Sequence, residues 1–257
     1  FGSGQGVKCV HSEHLYGEYW HRAFTVSADT PHCNYIVSFG ANVEVTGGVC
    51  AVARHAQARV RGAKRVQIEP HLSVTAAASA EWIPIKPKTD PAFMFAMIHV
   101  LLHEVPRERL DLPFLRDITS SPYLVGPQGF FLRDPGTLKP LVWDLRTASA
   151  QPHDAPGIKV ALEGQFELTT VIEVGADDQR WDYPTVRGDT SFTKLVAHMH
   201  QYSPDWAQAL CDVSAAKIRA VAQEFVAQAC VGQTVELDGK LLPYRPVAVT
   251  LGKAVNN

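Results

Sequence analysis

The sequence predicts an α/β protein in which a parallel sheet with flanking helices carries a loop- and hairpin-rich insertion. Three observations predict this class. An apolar run stops at Gly40, as a buried parallel strand does before its turn. Strand-like and helix-like segments then alternate as far as Glu104. Residues 105–192 break the alternation with many Pro, Gly and Asp residues.

The first helices and strands are predicted from the spacing of apolar residues and from the residues that end each segment. Residues Asn34–Phe39 are almost entirely apolar and predict a strand that is buried on both faces. Val49–Arg61 predicts a helix, and Gly62 stands where a C-terminal cap belongs. Lys64–Glu69 predicts the second strand. Five apolar residues recur at helical spacing in this helix: Val49, Val52, Ala53, Ala56 and Val60.

The next elements complete a β-α-β-(α)-β-α order. Ser73–Ala80 is rich in Ala and predicts one or two helical turns, and Trp82–Ile85 predicts a short third strand. Pro91–Glu104 predicts a long helix with Asp90 at the N-cap and Pro91 at the first helical position. This order implies parallel strands joined by right-handed crossovers.

The remainder of the chain predicts an insertion and a return to the core. Residues 105–192 suggest short hairpins and long loops. Helices are then predicted over Thr193–Tyr202, after Ser203 and after Ser214, with the two serines as N-caps. The run "RPVAVTLG" predicts another buried strand. We therefore expect a Rossmann-like core formed by residues 1–104 and 193–257, with residues 105–192 as the insertion.

Composition excludes several classes of function. The chain has 257 residues, 46% hydrophobic residues, 19% charged residues and a net charge of -2. A nucleic-acid partner is not expected, since binders of the phosphate backbone usually carry a basic excess. No apolar stretch is long enough for a membrane span. The 5 cysteines contain no C-x-x-C pair, so neither a disulfide framework nor a zinc site is indicated.

Polar residues follow the three predicted strands where each strand ends. Gly40-Ala41-Asn42 follows the first strand, Glu69 ends the second, and Asp90 lies beyond the third. Ligands of open parallel sheets bind at this edge. The Gly turn is suited to a phosphate. Glu69 could accept a hydrogen bond from a ribose hydroxyl, and Asp90 could accept hydrogen bonds from two N–H groups on the edge of a guanine. Each residue also has a simpler interpretation. Gly40 could serve only a tight turn, Glu69 could be a solvated carboxylate at a strand end, and Asp90 could be a plain N-cap.

The same stretches carry a family resemblance. "FGANVEVTGG", "AKRVQIEPHLSVTAAASAEWIPIKPKTDPAFMFAMIHVLL", "YSPDWAQALCDVSAAKIRAVAQEF" and "RPVAVTLGKAVNN" resemble the molybdopterin oxidoreductases of the dimethyl sulfoxide reductase family. In that family a G-x-N loop, a "D/E-P-x-x-[ST]-x-T-A" stretch and a "P-I-x-P-x-T-D" stretch follow successive strands. The resemblance implies that the sheet edge holds one dinucleotide of a bis-molybdopterin guanine dinucleotide cofactor that carries molybdenum or tungsten.

The resemblance also implies a set of cofactor-binding residues. Phe39 through Glu44 would line the pyrophosphate and pterin, the stretch from Glu69 would meet the ribose and guanosine, and the stretch from Lys88 would read the guanine edge. Cys9 and a Gly loop near the end would add contacts. The full set is Cys9, Phe39, Gly40, Ala41, Asn42, Val43, Glu44, Glu69, Pro70, His71, Leu72, Lys88, Thr89, Asp90, Gly252 and Lys253.

Further expectations concern parts of the family pattern that this sequence lacks. No residue is assigned to catalysis or to the metal, so we expect the metal ligand and a 4Fe-4S cluster upstream of Phe1. The chain would then be an inactive fragment of a two-electron oxidoreductase, completed by the rest of its catalytic subunit. An iron–sulfur electron-transfer subunit is a further expected partner. The bacterial periplasm and the cytoplasm are the expected compartments.

Two other functions are compatible with the same fold class. A nicotinamide-dependent dehydrogenase would place G-x-G-x-x-G after the first strand, and "FGANVEVTGG" does not supply that motif. A non-catalytic electron-transfer or scaffold subunit could keep the fold without the metal cofactor. Retention of Glu69, Thr89 and Asp90 together argues against such a loss. His99 and His103 are spaced for a metal on a helix, but that segment has the pattern of a core helix.

Overall fold

The computed structural model of the chain describes residues 28–251, which fall into two compact units. The first unit comprises residues 28–105 and 201–251 of this range, and the second comprises residues 106–200. Helices and strands are numbered along the whole chain. None of the helices in the described part is long and apolar enough to cross a bilayer.

A parallel four-stranded sheet organises the first unit. Its strands lie in the order β12-β1-β2-β3 and span Val247–Leu251 (β12), Tyr35–Phe39 (β1), Lys64–Ile68 (β2) and Glu81–Ile83 (β3). All residues of β1 are buried. Ile36 lies on one face of the sheet and Val37 on the other, in the main core. The predicted α/β class with a parallel sheet is thus confirmed.

Six α-helices accompany this sheet. They are α1 (Val43–Thr46), α2 (Gly48–Val60), α3 (Val74–Ala77), α4 (Asp90–His99), α7 (Pro204–Cys211) and α8 (Ala215–Gln228). The last two begin where they were predicted, because the Ser203 and Ser214 hydroxyls accept from backbone N–H groups three residues ahead. Helices α4, α7 and α8 contribute Phe93, Ala207 and Ile218 to the core.

The five apolar residues at helical spacing in α2 do not all face the sheet. Val49 is 86% exposed and Val60 is 89% exposed, whereas Ala58 is buried. Ala58 and His55 share the side of the helix that lines a cavity against the sheet. His55 is held there by contacts with Arg65 and Glu44, and these polar contacts set the rotation of the helix. Val49 and Val60 therefore face away from the described sheet, whereas Val52 and Ala56 line the same cavity as His55.

Several predicted ends and one predicted burial also need correction. Thr89, not Asp90, is the N-cap of α4, and Pro91 is the second helical residue. The α-helix ends at His99, and a π-helical turn continues over Val100–Glu104. Strand β12 was expected to be buried, but Leu251 is 55% exposed because β12 is the edge strand of the described sheet.

The second unit is built from antiparallel strands and two helices. A four-stranded sheet has the order β4-β9-β8-β5, and a separate hairpin pairs β6 with β7. The elements are α5 (Leu112–Asp117), β4 (Leu124–Val125), β5 (Leu132–Arg133), β6 (Leu141–Asp144), β7 (Ser149–Pro152), β8 (Gln165–Val174), β9 (Arg180–Thr190) and α6 (Ser191–Met199). Hairpins were correctly predicted, but not their size: β8 and β9 have 10 and 11 residues. Their faces alternate irregularly between buried and exposed residues, which hides them from an apolar pattern.

One hairpin of the first unit was not predicted. Strands β10 (Thr234–Leu237) and β11 (Lys240–Pro243) pair antiparallel across Asp238-Gly239. Asp238 has φ 50° and Gly239 has φ 71°. Asp-Gly is the preferred dipeptide for a two-residue hairpin turn with two positive φ angles. The turn signal was therefore present in the sequence, and the two strands beside it are largely exposed.

Candidate functional site

The carboxyl ends of the parallel strands lie level with one another. Phe39, the last residue of β1, pairs with Ile68 at the end of β2 and with Leu251 at the end of β12. Ile68 pairs in turn with Ile83 at the end of β3. The three segments that follow β1, β2 and β3 therefore leave the sheet at one edge. We call this the carboxyl edge, formed by residues 40–44, 69–72 and 88–90.

The segment after β1 presents backbone donors. Gly40 has φ 60°, a left-handed conformation that glycine adopts without strain, and its N–H donates to Ile68 O over 3.0 Å. The backbone N–H groups of Ala41, Asn42 and Val43 have no acceptor among the described residues. These consecutive donors in a turn are suited to an anion.

Asn42 is tied to the helix that follows β2. Its Oδ1 accepts from the Thr75 hydroxyl over 2.8 Å and from the Thr75 N–H over 3.3 Å. The backbone N–H of Glu44 donates to the same hydroxyl over 3.0 Å. Asn42 therefore anchors the loop through its side-chain oxygen, which leaves its amide NH₂ group for other contacts.

Glu69 is buried and braces the second segment of the carboxyl edge. It is 3% exposed, and its Oε1 accepts from Ser73 N over 3.2 Å. Its Oε2 accepts from Gln67 Nε2 over 3.1 Å, and the same Nε2 donates to Ala41 O over 3.2 Å. The Trp82 indole donates to Glu69 O over 3.0 Å. Gln67 thus bridges the segments that follow β1 and β2.

The neighbouring predicted residues are open to solvent. Pro70 and His71 are exposed, and Leu72 is 58% exposed. Lys88 is also exposed and has φ 67°, an uncommon conformation for a residue other than glycine. Thr89 closes this turn, since its hydroxyl donates to Lys86 O over 2.6 Å. Such positive φ angles occur preferentially at functional sites.

Asp90 is a buried carboxylate without a partner side chain. It is 3% exposed, and desolvation raises its pKa, while a hydrogen bond from its own backbone N–H partly opposes the rise. No other described residue donates to it or forms an ion pair with it. Burial raises the pKa of the nearby Cys211 thiol, and the charges of Asp212 and Asp90 add to that rise. Asp90 therefore has only its own backbone N–H as a donor, fewer than a buried carboxylate requires.

The Glu44 side chain turns away from the free N–H groups and joins a polar cluster. Arg65 Nη2 donates to Glu44 Oε1 over 2.7 Å, and His55 contacts both side chains. Desolvation opposes ionisation of Glu44, but the hydrogen bond and charge of Arg65 outweigh it and leave the pKa lowered. Burial and Arg65 lower the pKa of His55. The cluster lines a cavity of about 190 Å³ between α2 and the sheet.

The predicted site residues are thus placed unequally. Gly40, Ala41 and Asn42 are linked through Gln67 and Thr75 to the Glu69 segment. No described hydrogen bond or ion pair joins Asp90 to these residues. Its helix packs near β1 through Phe93, whose ring centroid lies 5.7 Å from that of Phe39. Three predicted residues lie outside the described residues: Cys9, Gly252 and Lys253.

The residues that support the edge were not predicted as site residues, although Thr75 stands at the Thr of the "D/E-P-x-x-[ST]-x-T-A" stretch. The supporting residues are Gln67, Thr75, Arg65 and His55. Polar residues inside a buried strand were a usable signal, because a parallel strand normally tolerates them only when they are paired. Within residues 28–251 no three His, Cys, Asp or Glu side chains are grouped to hold a metal.

Residues 5–236 match the family model described as molybdopterin oxidoreductase. The chain belongs to this family. The resemblance predicted from the strand-end motifs is confirmed, and the match runs through both units of the structure. Membership of the molybdopterin oxidoreductase family therefore rests on most of the chain and not on the strand-end motifs alone.

Curated relatives are similar in sequence to this chain over part of their length. The nitrate reductase alpha chain of Bacillus subtilis is 32% identical over 57% of this chain and 14% of its own length. The thiosulfate reductase molybdopterin-containing subunit PhsA of Salmonella typhimurium is 33% identical over 37% of this chain and 12% of its own. The dimethyl sulfoxide reductase DmsA of Haemophilus influenzae is 38% identical over 34% of this chain and 11% of its own length. The chain therefore spans less than a fifth of these relatives.

A solved structure also resembles the chain. Acetylene hydratase from Pelobacter acetylenicus superposes with a TM-score of 0.46 and 14% identity, covering 88% of this chain and 21% of that one.

Proposed function

We propose that this chain forms part of the binding site for a molybdopterin guanine dinucleotide in the catalytic subunit of a two-electron oxidoreductase. The observation that carries the proposal is the carboxyl edge. It combines backbone donors without acceptors at Ala41–Val43 with the buried, unpartnered carboxylate of Asp90. The edge thus offers donors to an anion and an acceptor to a base with two N–H donors.

The chemistry of these groups fits the cofactor. The N–H groups of residues 41–43 would hold the pyrophosphate, which is an acceptor with negative charge. Asp90 would accept from the N1–H and N2–H groups of guanine, with Lys88 and Thr89 beside it. Glu69 through Leu72 would lie beside the ribose and guanosine, and Phe39 through Glu44 along the pyrophosphate and pterin. The cofactor's molybdenum or tungsten would supply the two-electron or oxygen-atom-transfer chemistry, and the chain would supply orientation.

The rest of the proposal concerns the whole protein. Its remaining catalytic-subunit residues would supply the metal ligand and a 4Fe-4S cluster, and an iron–sulfur subunit would exchange electrons with it. Names such as "alpha chain" and "molybdopterin-containing subunit" among the relatives support an assembly of several subunits. Nitrate, thiosulfate and dimethyl sulfoxide all occur in those names, so the proposal commits to the reaction class and to no single substrate. A periplasmic or cytoplasmic location is proposed.

Cofactor content tests the proposal directly. The protein should be purified from a host supplied with molybdate and tungstate, and then hydrolysed in acid. We expect to detect molybdenum or tungsten, a fluorescent oxidised pterin and released GMP. The amount of each should rise in proportion to the amount of protein hydrolysed. Protein from the same host grown without either metal is the matched control and should lack the metal. Folded protein that held neither metal nor pterin under the replete conditions would contradict the proposal.

A further inference from the structure

Thr75 forms three hydrogen bonds to the segment after β1, although it lies more than thirty residues away in sequence. Its side chain is 0% exposed. The hydroxyl donates to Asn42 Oδ1 over 2.8 Å and accepts from Glu44 N over 3.0 Å, while its N–H donates to Asn42 Oδ1 over 3.3 Å. One buried hydroxyl therefore fixes both a side chain and a backbone amide of the Gly40–Glu44 loop.

A second set of contacts closes this connection into a ring. Thr75 O accepts from the Ser79 hydroxyl over 2.7 Å, and Arg65 Nε donates to that hydroxyl over 2.9 Å. Arg65 Nη2 reaches Glu44 Oε1 over 2.7 Å. The backbone of the loop is thus held by Thr75 on α3, and the Glu44 side chain is held by Arg65 on β2. Rings of this kind restrict motion more than a single contact does, because each partner is oriented by another.

The position of α3 is itself set by the segment after β2. The Ser73 hydroxyl accepts from Ala76 N over 3.1 Å and caps the helix. The Ser73 N–H donates to Glu69 Oε1 over 3.2 Å. A displacement of Glu69 would therefore be transmitted through α3 to Thr75 and on to Asn42.

We propose that Thr75 is a positioning residue that couples the Glu69 segment to the Gly40–Glu44 loop and holds the free N–H groups of that loop in register for the dinucleotide. This inference rests on the proposed function. Thr75 is 0% exposed and would not contact the cofactor itself. It acts through Asn42 and Glu44, and Arg65 completes the restraint from the other side.

Three variants of the purified protein test this role. Thr75→Val keeps the shape of the side chain but removes the hydroxyl, and Thr75→Ser keeps the hydroxyl. Thr190→Val is the matched control, since Thr190 is also 0% exposed and caps a helix of the second unit. Two quantities are measured: amide hydrogen exchange in the peptide that covers residues 40–46, and the rate at which bound guanine dinucleotide is lost on dialysis.

The expected pattern is specific to Thr75. In Thr75→Val, exchange of the Glu44 amide and the rate of dinucleotide loss should each rise about tenfold, the effect of losing one to two hydrogen bonds. Thr75→Ser should restore both values. Thr190→Val should leave both unchanged, although it lowers the stability of the second unit.

Two outcomes would overturn the inference. One is unchanged exchange in residues 40–46 of a folded Thr75→Val protein, and the other is equal dinucleotide loss from Thr190→Val. Should Thr75→Val fail to fold, Arg65→Lys repeats the test, because a lysine cannot reproduce the forked contacts to Ser79 and Glu44. Wild-type protein without any dinucleotide would instead count against the proposed function, while the exchange comparison would still decide the role of Thr75.

Discussion

Replacing Asp90 with Asn is expected to stabilise the cofactor-free protein at neutral pH and to weaken retention of the guanine dinucleotide at least about 100-fold. The carboxylate is 3% exposed and has no partner side chain in the described part of the chain, so its ionised form is costly in the free protein. Removing that cost should add about 1 kcal/mol to the free energy of unfolding. With cofactor bound, Asn would direct an NH₂ group at guanine donors and lose two charge-assisted hydrogen bonds.

The pH dependence has a definite sign. Desolvation raises the pKa of Asp90 in the folded state, so the group favours folding below its unfolded pKa and loses that contribution as pH rises through the folded value. The stability advantage of Asp90→Asn should therefore be present at neutral pH and should disappear in acid. Urea titrations of cofactor-free protein at several pH values measure it. Asp117→Asn, which removes an exposed carboxylate paired with Arg116, is the control and should show no gain. A destabilised Asp90→Asn protein that kept its dinucleotide would contradict the assignment.

Phe93→Ala should be the most destabilising of the substitutions considered. Phe93 is 0% exposed and packs edge-to-face on Phe39, with ring centroids 5.7 Å apart. Removing a fully buried phenyl ring leaves a cavity and costs about 3–5 kcal/mol in the free energy of unfolding. Phe39 immediately precedes Gly40, and Phe93 lies in the first turn of the helix that begins at Asp90. The substitution should therefore also loosen Asp90 relative to the free N–H groups of the loop.

Urea titration and cofactor content together measure this effect. Phe93→Leu refills most of the volume and should cost about 1 kcal/mol, with the dinucleotide retained. Phe93→Ala protein should lose its dinucleotide even under conditions where it remains folded. A loss of less than about 1 kcal/mol for Phe93→Ala would show that the contact between β1 and α4 does not hold the edge together.

The order of the parallel core was predictable because its signals are local. The apolar run of β1, the serine caps of α7 and α8, and the polar residues after each strand all act over a few positions. The rotation of α2 was not predictable from apolar spacing. It depends on His55 meeting Arg65 and Glu44, which lie on two other elements. The exposure of Val49 and Val60 shows that apolar spacing identifies a helix without fixing its rotation against the sheet.

The residues of the candidate site were also predictable only in part. Gly40, Glu69 and Asp90 could be named from strand-end position and residue type. Their supporting residues could not, because the partnership of Thr75 with Asn42 joins residues 33 positions apart and depends on how α3 is capped. Sequence also could not show that both Glu69 oxygens already accept hydrogen bonds within the chain. Burial and pairing are properties of the folded sheet edge.

A structure of the purified protein with its cofactor tests the central claim most directly. We predict guanine with its N1–H and N2–H groups within hydrogen-bonding distance of the Asp90 carboxylate. We also predict pyrophosphate oxygens against the N–H groups of Ala41, Asn42 and Val43. A dinucleotide bound away from the carboxyl edge, with Asp90 still unpartnered, would contradict both assignments.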